Sequence, residues 1–252
     1  MLDPTKRFST RVENYRKYRP GYPLEVISLL ASDCGLTPQT VIADLGSGTG
    51  LLTEIFLKNG NRVFAVEPNA EMRAVGEKQL ANYPNFISVN ASAEATTLPD
   101  HSIDLISAGQ AFHWFDREKA KTEFKRILKP AGWLVLIWNG FRIEMSPLVK
   151  GYQELVLRYG TDYNEVKREV EGLDVSSFFS PGKCRHAQFA FKQTFDFEGL
   201  KGRLLSASYT PDASHRDFEE MIRDLHALFD ANQQDGRVDF DYETEVYYGQ
   251  LT

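Results

Sequence analysis

The sequence predicts an open α/β fold, a Rossmann-like sheet with helices on both faces, and three observations carry that expectation. Short apolar runs at Val41 to Leu45, Val63 to Val66, Phe86 to Val89, Ile103 to Ala108 and Trp133 to Trp138 have the length and character of strands buried on both faces. Segments with apolar residues at helical spacing fill the gaps between them, and such alternation marks a parallel sheet. The first strand ends in a glycine-rich turn, Asp44-Leu45-Gly46-Ser47-Gly48-Thr49-Gly50, set directly before a helix.

Taken in order, the first 20 residues are polar and rich in Tyr and Arg, and residues 1–40 read as a helical arm or lid. Leu24, Ile27 and Leu30 predict a helix over 22–34, with Pro23 suited to its first turn. Gly50 to Asn59 reads as a helix with Leu51, Ile55 and Phe56 on its apolar side, ended by Asn59-Gly60. A helix over Ala70 to Leu80 follows the second strand. Another runs from Arg117 to Leu128, stopped by Pro130 and Gly132. The alternation lapses after Asn139, so residues 41–139 are the expected cofactor-binding core and 140–184 an inserted helical cap. Strand patterns return at Arg185 to Phe195 and Arg237 to Tyr247, with helices near 197–206 and 214–230. Residues 185–252 would thus complete the sheet of a single domain.

Hydrophobic residues make up 42% of the 252 and charged residues 25%, enough for a packed core and against disorder. The net charge of −6 and the lack of a basic block argue against a nucleic-acid partner, because phosphate contacts need clustered Lys and Arg. The run Lys119 to Lys129 alternates with apolar residues and reads as the wet face of a helix. No stretch nears the roughly 18 apolar residues of a membrane span, and the N-terminus lacks an apolar leader core. Cys34 and Cys184 show no metal-ligand spacing, nor do His101, His186, His215 and His226. The expectation is a cytoplasmic protein without metal, membrane or nucleic-acid partners; its oligomeric state is open.

The glycine turn carries the chemistry. Glycines allow positive φ and close approach of a ligand to the backbone, and the helix start adds free N–H donors. The dinucleotide fingerprint is G-x-G-x-x-G, whereas the spacing here is G-x-G-x-G with Asp44 two positions ahead. An anionic Asp44 would repel a pyrophosphate and attract an ammonium group. The second strand ends in Glu67-Pro68, and an acid at that place can accept hydrogen bonds from ribose hydroxyls.

Val41 to Gly50 resembles motif I of the class I S-adenosylmethionine-dependent methyltransferases, and Val63 to Pro68 resembles their second motif. The resemblance implies seven strands, the last antiparallel, with S-adenosyl-L-methionine bound at the carboxyl ends of the strands. It implies that Asp44, Gly46, Ser47 and Gly48 line the methionine end and that Glu67, with Pro68, holds the ribose. Asn90 to Glu94, ahead of Leu98-Pro99, resembles the segment that contacts adenine, which assigns Ala93 and Glu94 there. Ala108 to Asp116, containing Gln110-Ala111-Phe112-His113-Trp114, is similar to a subgroup that includes trans-aconitate methyltransferases. The arm motif Tyr18-Arg19-Pro20-Gly21-Tyr22-Pro23 is shared with it.

That resemblance implies methyl transfer to a small-molecule acceptor, a carboxylate or a hydroxyl, by in-line displacement. Gln110 and His113 are the candidate catalytic residues. Gln110 would also touch the cofactor, with Tyr18 and Arg19, beside Tyr15, closing over it. His113 would act as a base only for an acceptor that must lose a proton. His113, Trp114, Trp138, Arg142 and Tyr209 are the candidate acceptor contacts, with Asn139, Ser206 and Ser208 near them. Arg142 would suit a carboxylate through its planar fork. Two alternatives stand beside this reading: a non-catalytic module that binds the cofactor, and a nicotinamide-dependent oxidoreductase, which the glycine spacing and Asp44 disfavour.

Overall fold

The computed structural model describes residues 11–142, 144, 146–163 and 174–251. Its strands are β1 (Val41–Leu45), β2 (Arg62–Val66), β3 (Phe86–Val89), β4 (Ile103–Gly109), β5 (Leu128–Phe141), β6 (Arg185–Phe195) and β7 (Val238–Gln250). They form one sheet in the order β3-β2-β1-β4-β5-β7-β6. The pairs from β3 across to β5 are parallel, and β7 runs antiparallel to both of its neighbours. This is the mostly parallel seven-stranded sheet that the sequence predicts.

The two-residue period of the strands sorts apolar side chains onto opposite faces. Ile42, Leu105, Val135 and Ile137 face one core, packed beneath α2 (Glu25–Cys34) and α3 (Leu51–Lys58). Ala43, Leu45, Ile106, Leu134 and Leu136 face the other, against Phe124 and Ile127 of α5 (Arg117–Ile127). Phe124 and Ile127 have no exposure, and burying such a side chain contributes about 1.5–3 kcal/mol. The remaining helix between parallel strands is α4 (Ala70–Leu80), capped by the Asn69 side chain on the Met72 N–H at 2.8 Å.

A third core gathers around the far end of the sheet. Here α6 (Pro147–Tyr159), α8 (Phe197–Leu205) and α9 (Phe218–Asn232) pack over Phe195, Phe240 and Tyr242. Short α7 (Val175–Phe178) instead inserts Val175 and Phe178 into the core beside α5. Ahead of the sheet, α1 (Val12–Tyr18) packs on α8.

Two boundaries differ from the sequence expectation. The helix before β5 ends at Ile127, because Leu128 already pairs with Ile103. The next pair is Leu105 with Trp133, so an irregularity between them carries Pro130 and Gly132 past the ladder. Those residues stop the helix without stopping the strand. At its other end β5 continues through Gly140 and Phe141, paired with Glu243 and Tyr242. The stretch expected to begin a cap at 140 therefore begins inside a strand. Residues 143, 145 and 164–173 of that stretch, and 1–10 of the arm, lie outside the described residues.

Candidate active site

The chain order reverses between β1 and β4, and in open α/β sheets that switch point opens a crevice at the carboxyl ends of the strands. The glycine turn sits there. Gly46, Gly48 and Gly50 have φ of +64°, +57° and +83°. The N–H groups of Gly46 and Ser47 both donate to the Val66 carbonyl, at 2.9 and 3.1 Å, which ties the turn to the end of β2. A Cβ on Gly46 would stand 2.6 Å from the Ala111 methyl, so only glycine allows the turn to approach the loop after β4.

Glu67 is 8% exposed, and both of its oxygens are held by backbone. Oε2 accepts from the Gly48 N–H at 2.9 Å and Oε1 from the Asn69 N–H at 2.8 Å. Burial raises its pKa, against the opposing effect of those two N–H groups. Each oxygen keeps a second lone pair, so a fixed carboxylate remains able to accept two more hydrogen bonds. Asp44 has no exposure; Thr53 Oγ1 donates to its Oδ2 at 2.6 Å and Ser107 Oγ to its Oδ1 at 2.9 Å. Burial pushes its pKa up to about 6, although the Thr53 and Ser107 hydroxyls oppose the shift.

These groups line a cleft of about 260 Å³. Asp44, Gly46, Ser47, Gly48, Glu67, Pro68, Ala93 and Glu94 all line it. Gln110 and Trp114 close it from the β4 end. Glu94 is fixed by the Asp116 N–H at 2.9 Å. Gln110 has φ +56°, an uncommon conformation for a residue other than glycine; its N–H donates to the Ile137 carbonyl at 2.9 Å and its Nε2 to the Asn139 carbonyl at 3.0 Å. The strain sits where β4 meets the cleft, as strained residues at binding sites often do. Among the described residues the lining contains the carboxylates Asp44, Glu67 and Glu94 and no Lys or Arg. Such a wall suits a ligand that brings hydroxyls and positive charge, and it opposes a pyrophosphate.

Several expected contacts lie elsewhere. Tyr18 and Arg19 are outside the lining, and Tyr15 and Tyr22 supply the aromatic surface of the arm instead. The Tyr18 ring packs on Gly202, and Arg19 reaches the Ser206 carbonyl at 3.4 Å. His113 is beside the cleft rather than in its wall: it lies on the 3₁₀ turn Phe112–Trp114, its ring centroid 4.7 Å from that of Trp114. Trp138 is buried under the cleft, edge-on to Phe112 at 6.2 Å and to Tyr247 at 5.9 Å, because its place on β5 faces the α5 side of the sheet. Arg142 sits past the end of β5 with its Nε 3.7 Å from Glu243 Oε1. Tyr209 packs against Tyr163 at 4.8 Å in the third core.

Other lining residues were not singled out from sequence. Met72 and Asn69 enter with α4, and Tyr22 lies over Gly109. Tyr22 was visible within the arm motif but without a role. Thr53 and Ser107 gave no signal, although Ser107 stands beside Asp44 in the sheet register.

An open α/β sheet with a cleft at its switch point defines a protein of the class that binds its ligand at the carboxyl ends of the strands. Residues 43–136 match the family model described as a methyltransferase domain. An uncharacterized methyltransferase-like protein of Schizosaccharomyces pombe is 31% identical over 225 residues, 88% of this chain and 86% of that protein. Among solved structures, one described as a type II methyltransferase from Anaeromyxobacter dehalogenans superposes with a TM-score of 0.68 at 20% identity, over 93% of this chain and 98% of that one. A Haemonchus contortus phosphoethanolamine N-methyltransferase, solved with S-adenosylhomocysteine, has a TM-score of 0.52 at 14% identity, over 98% of this chain and 58% of that one. The chain belongs to the class I S-adenosylmethionine-dependent methyltransferases. S-adenosyl-L-methionine is accordingly its cofactor. Among the described residues, no helix is long and apolar enough to cross a membrane and no cluster of three or more His, Cys, Asp or Glu could hold a metal.

Proposed function

We propose that this enzyme binds S-adenosylmethionine across the ends of β1 and β2 and transfers its methyl group to a small-molecule acceptor, a carboxylate or a hydroxyl. The observation that carries this reading is Glu67, a buried carboxylate fixed by two backbone N–H groups with a lone pair spare on each oxygen. When bound, the cofactor supplies a sulfonium methyl group open to in-line displacement. Glu67 and Pro68 hold the ribose, Ala93 and Glu94 border the adenine, and Asp44 with the turn Gly46 to Gly48 faces the methionine end. Asp44 is buried, so water screens its charge poorly and, once ionised, it favours an ammonium group beside it over an anion.

The protein's remaining task is to place the acceptor and exclude water. Gln110 and Trp114 line the cleft near the end of β4, and Tyr15 and Tyr22 of the arm line it too. His113, one residue from that wall, serves as base only for a hydroxyl acceptor. Calorimetric titration with S-adenosylmethionine, beside Glu67→Ala and an NAD control, tests the reading. Binding that the variant loses by about a hundredfold or more supports it, as the loss of two charge-assisted hydrogen bonds would. Binding of NAD instead would overturn it. Turnover of an acceptor panel then separates an enzyme from a module that only binds the cofactor.

A further inference from the structure

Beyond the cleft, the protein buries a second charged feature. Arg203 of α8 is 2% exposed and has no carboxylate partner among the described residues. Its guanidinium lies over the rings of Phe141, Phe240 and Tyr242 at 5.6, 5.9 and 5.7 Å, and its Nε donates to the Tyr242 hydroxyl at 2.9 Å. Its Nη1 has no hydrogen-bond partner. The same is true of the hydroxyl of Tyr152, which has no exposure and packs against Phe240 at 4.9 Å, and of Nε of Arg19. An unmatched buried charge costs several kcal/mol, and an unmatched buried donor about 1–3 kcal/mol. Three such donors in one neighbourhood mark a place built to receive an acceptor atom.

The feature adjoins the proposed site through covalent neighbours. Asn139 receives Gln110 Nε2 on its carbonyl, and Phe141 follows two residues later on the same face of β5. Thr244 donates to Asn139 Oδ1 at 2.6 Å, and Tyr242 lies two residues before it on β7. Arg19 stacks over Tyr15, a wall residue of the cleft, with its guanidinium 5.1 Å from that ring. Arg203 and, more weakly, Arg19 act electrostatically on the Tyr152 hydroxyl, whose pKa burial raises.

We propose that Arg203, with Tyr152 and Arg19, is an anion-anchoring end of the acceptor site, and that the acceptor is a small organic acid whose carboxylate seats on the Arg203 fork. This deepens the methyltransferase reading and rests on it. Shape selects the anion: among the described residues the buried Arg203 guanidinium is flanked by the rings of Phe141, Phe240 and Tyr242, and its flat fork pairs in plane with a carboxylate. Guanidinium planarity matches a carboxylate through two parallel hydrogen bonds, while the tyrosine rings exclude water around them. The cleft itself, walled by Asp44, Glu67 and Glu94, repels that carboxylate, so an acid entering the enzyme is oriented with its charge away from the cofactor end.

The test is calorimetric titration of the full chain, with and without S-adenosylhomocysteine, using acetate, succinate, citrate, benzoate and octanoate, the matched neutral amides, and inorganic phosphate. At least one carboxylate binds the cofactor-product complex and its amide does not. Arg203→Met weakens that binding by about a hundredfold and Arg203→Lys by about tenfold, the cost of losing the charge and of losing the fork. S-adenosylhomocysteine affinity changes far less in both. Arg203→Met also melts no lower than the wild type without anion, since it replaces an unmatched buried charge by apolar bulk; Arg203→Lys carries the test if the Met variant does not fold. The inference is overturned if no carboxylate binds, if phosphate binds in preference, or if carboxylate binding is unchanged in Arg203→Met and Arg203→Lys. Carboxylate binding in a protein that fails to bind S-adenosylhomocysteine would overturn the cofactor reading and leave the anion site standing.

Discussion

Changing the charge of Asp44 probes the cleft most directly. Its carboxyl is fully buried, and burial places its pKa at about 6 against an ordinary value of 3.8. A folded-state pKa above the unfolded one means that the folded protein holds the proton more tightly. The stabilising contribution of this group is therefore fully present below about pH 3.8 and is lost as pH rises through about 6. That displacement corresponds to about 3 kcal/mol of unfavourable burial at neutral pH in the ligand-free protein. A cation beside the ionised carboxylate offsets it. Affinity for S-adenosylmethionine should then fall about tenfold for each pH unit below about 6, as Asp44 takes up a proton. Asp44→Asn keeps the shape and removes the charge. It should weaken binding by about tenfold to a hundredfold at pH 7, abolish the pH step, and leave the ligand-free melting temperature no lower than that of the wild type. Calorimetry from about pH 5 to 8, with thermal unfolding in parallel, measures all three. A wild-type affinity that is flat across this range, or the same pH step in Asp44→Asn, would refute the reasoning.

Three further outcomes are expected. Gly46→Ala should cost about 1–3 kcal/mol of stability and most of the cofactor affinity, because φ is +64° and the new methyl would meet Ala111 at 2.6 Å. Gly48→Ala should cost about 1–2 kcal/mol from its positive φ alone, since its nearest neighbour is the flexible tip of Met72 at 3.2 Å; equal losses in chemical denaturation would contradict that ranking. Trp138→Phe should leave cofactor binding and turnover unchanged, because the indole lies in the core and its buried N–H has no partner to lose; a rise in KM for an acceptor would return Trp138 to the site.

Much of the cleft was legible because it is local. The turn Asp44 to Gly50 and the acid Glu67 sit at strand ends and Ala93-Glu94 in the loop that follows β3, and a parallel sheet brings such ends and their loops to one edge. The candidates that lie elsewhere share a different origin. Trp138, Arg142 and Tyr209 are candidates by residue type near the end of a strand or helix, and type does not say which face a side chain takes. One residue of register decides that: Ile137 faces the α2–α3 core and Trp138 the α5 core. In the arm, Tyr15 and Tyr22 line the cleft while Tyr18 packs on Gly202 of α8, a division set by what α1 meets in the fold.

The sequence by itself determined the alternation of strands and helices, the chemistry of the glycine turn and the acid that follows β2, because these depend on neighbours within about ten residues. Only the tertiary structure decided what is set against what. Ser107 meets Asp44 through the pairing of β1 with β4. Arg203 meets Phe141, Phe240 and Tyr242 through the insertion of β7 between β5 and β6. Burial and the loss of hydrogen-bonding water turn such meetings into raised pKa values and unmatched donors, and burial arises only once distant segments pack.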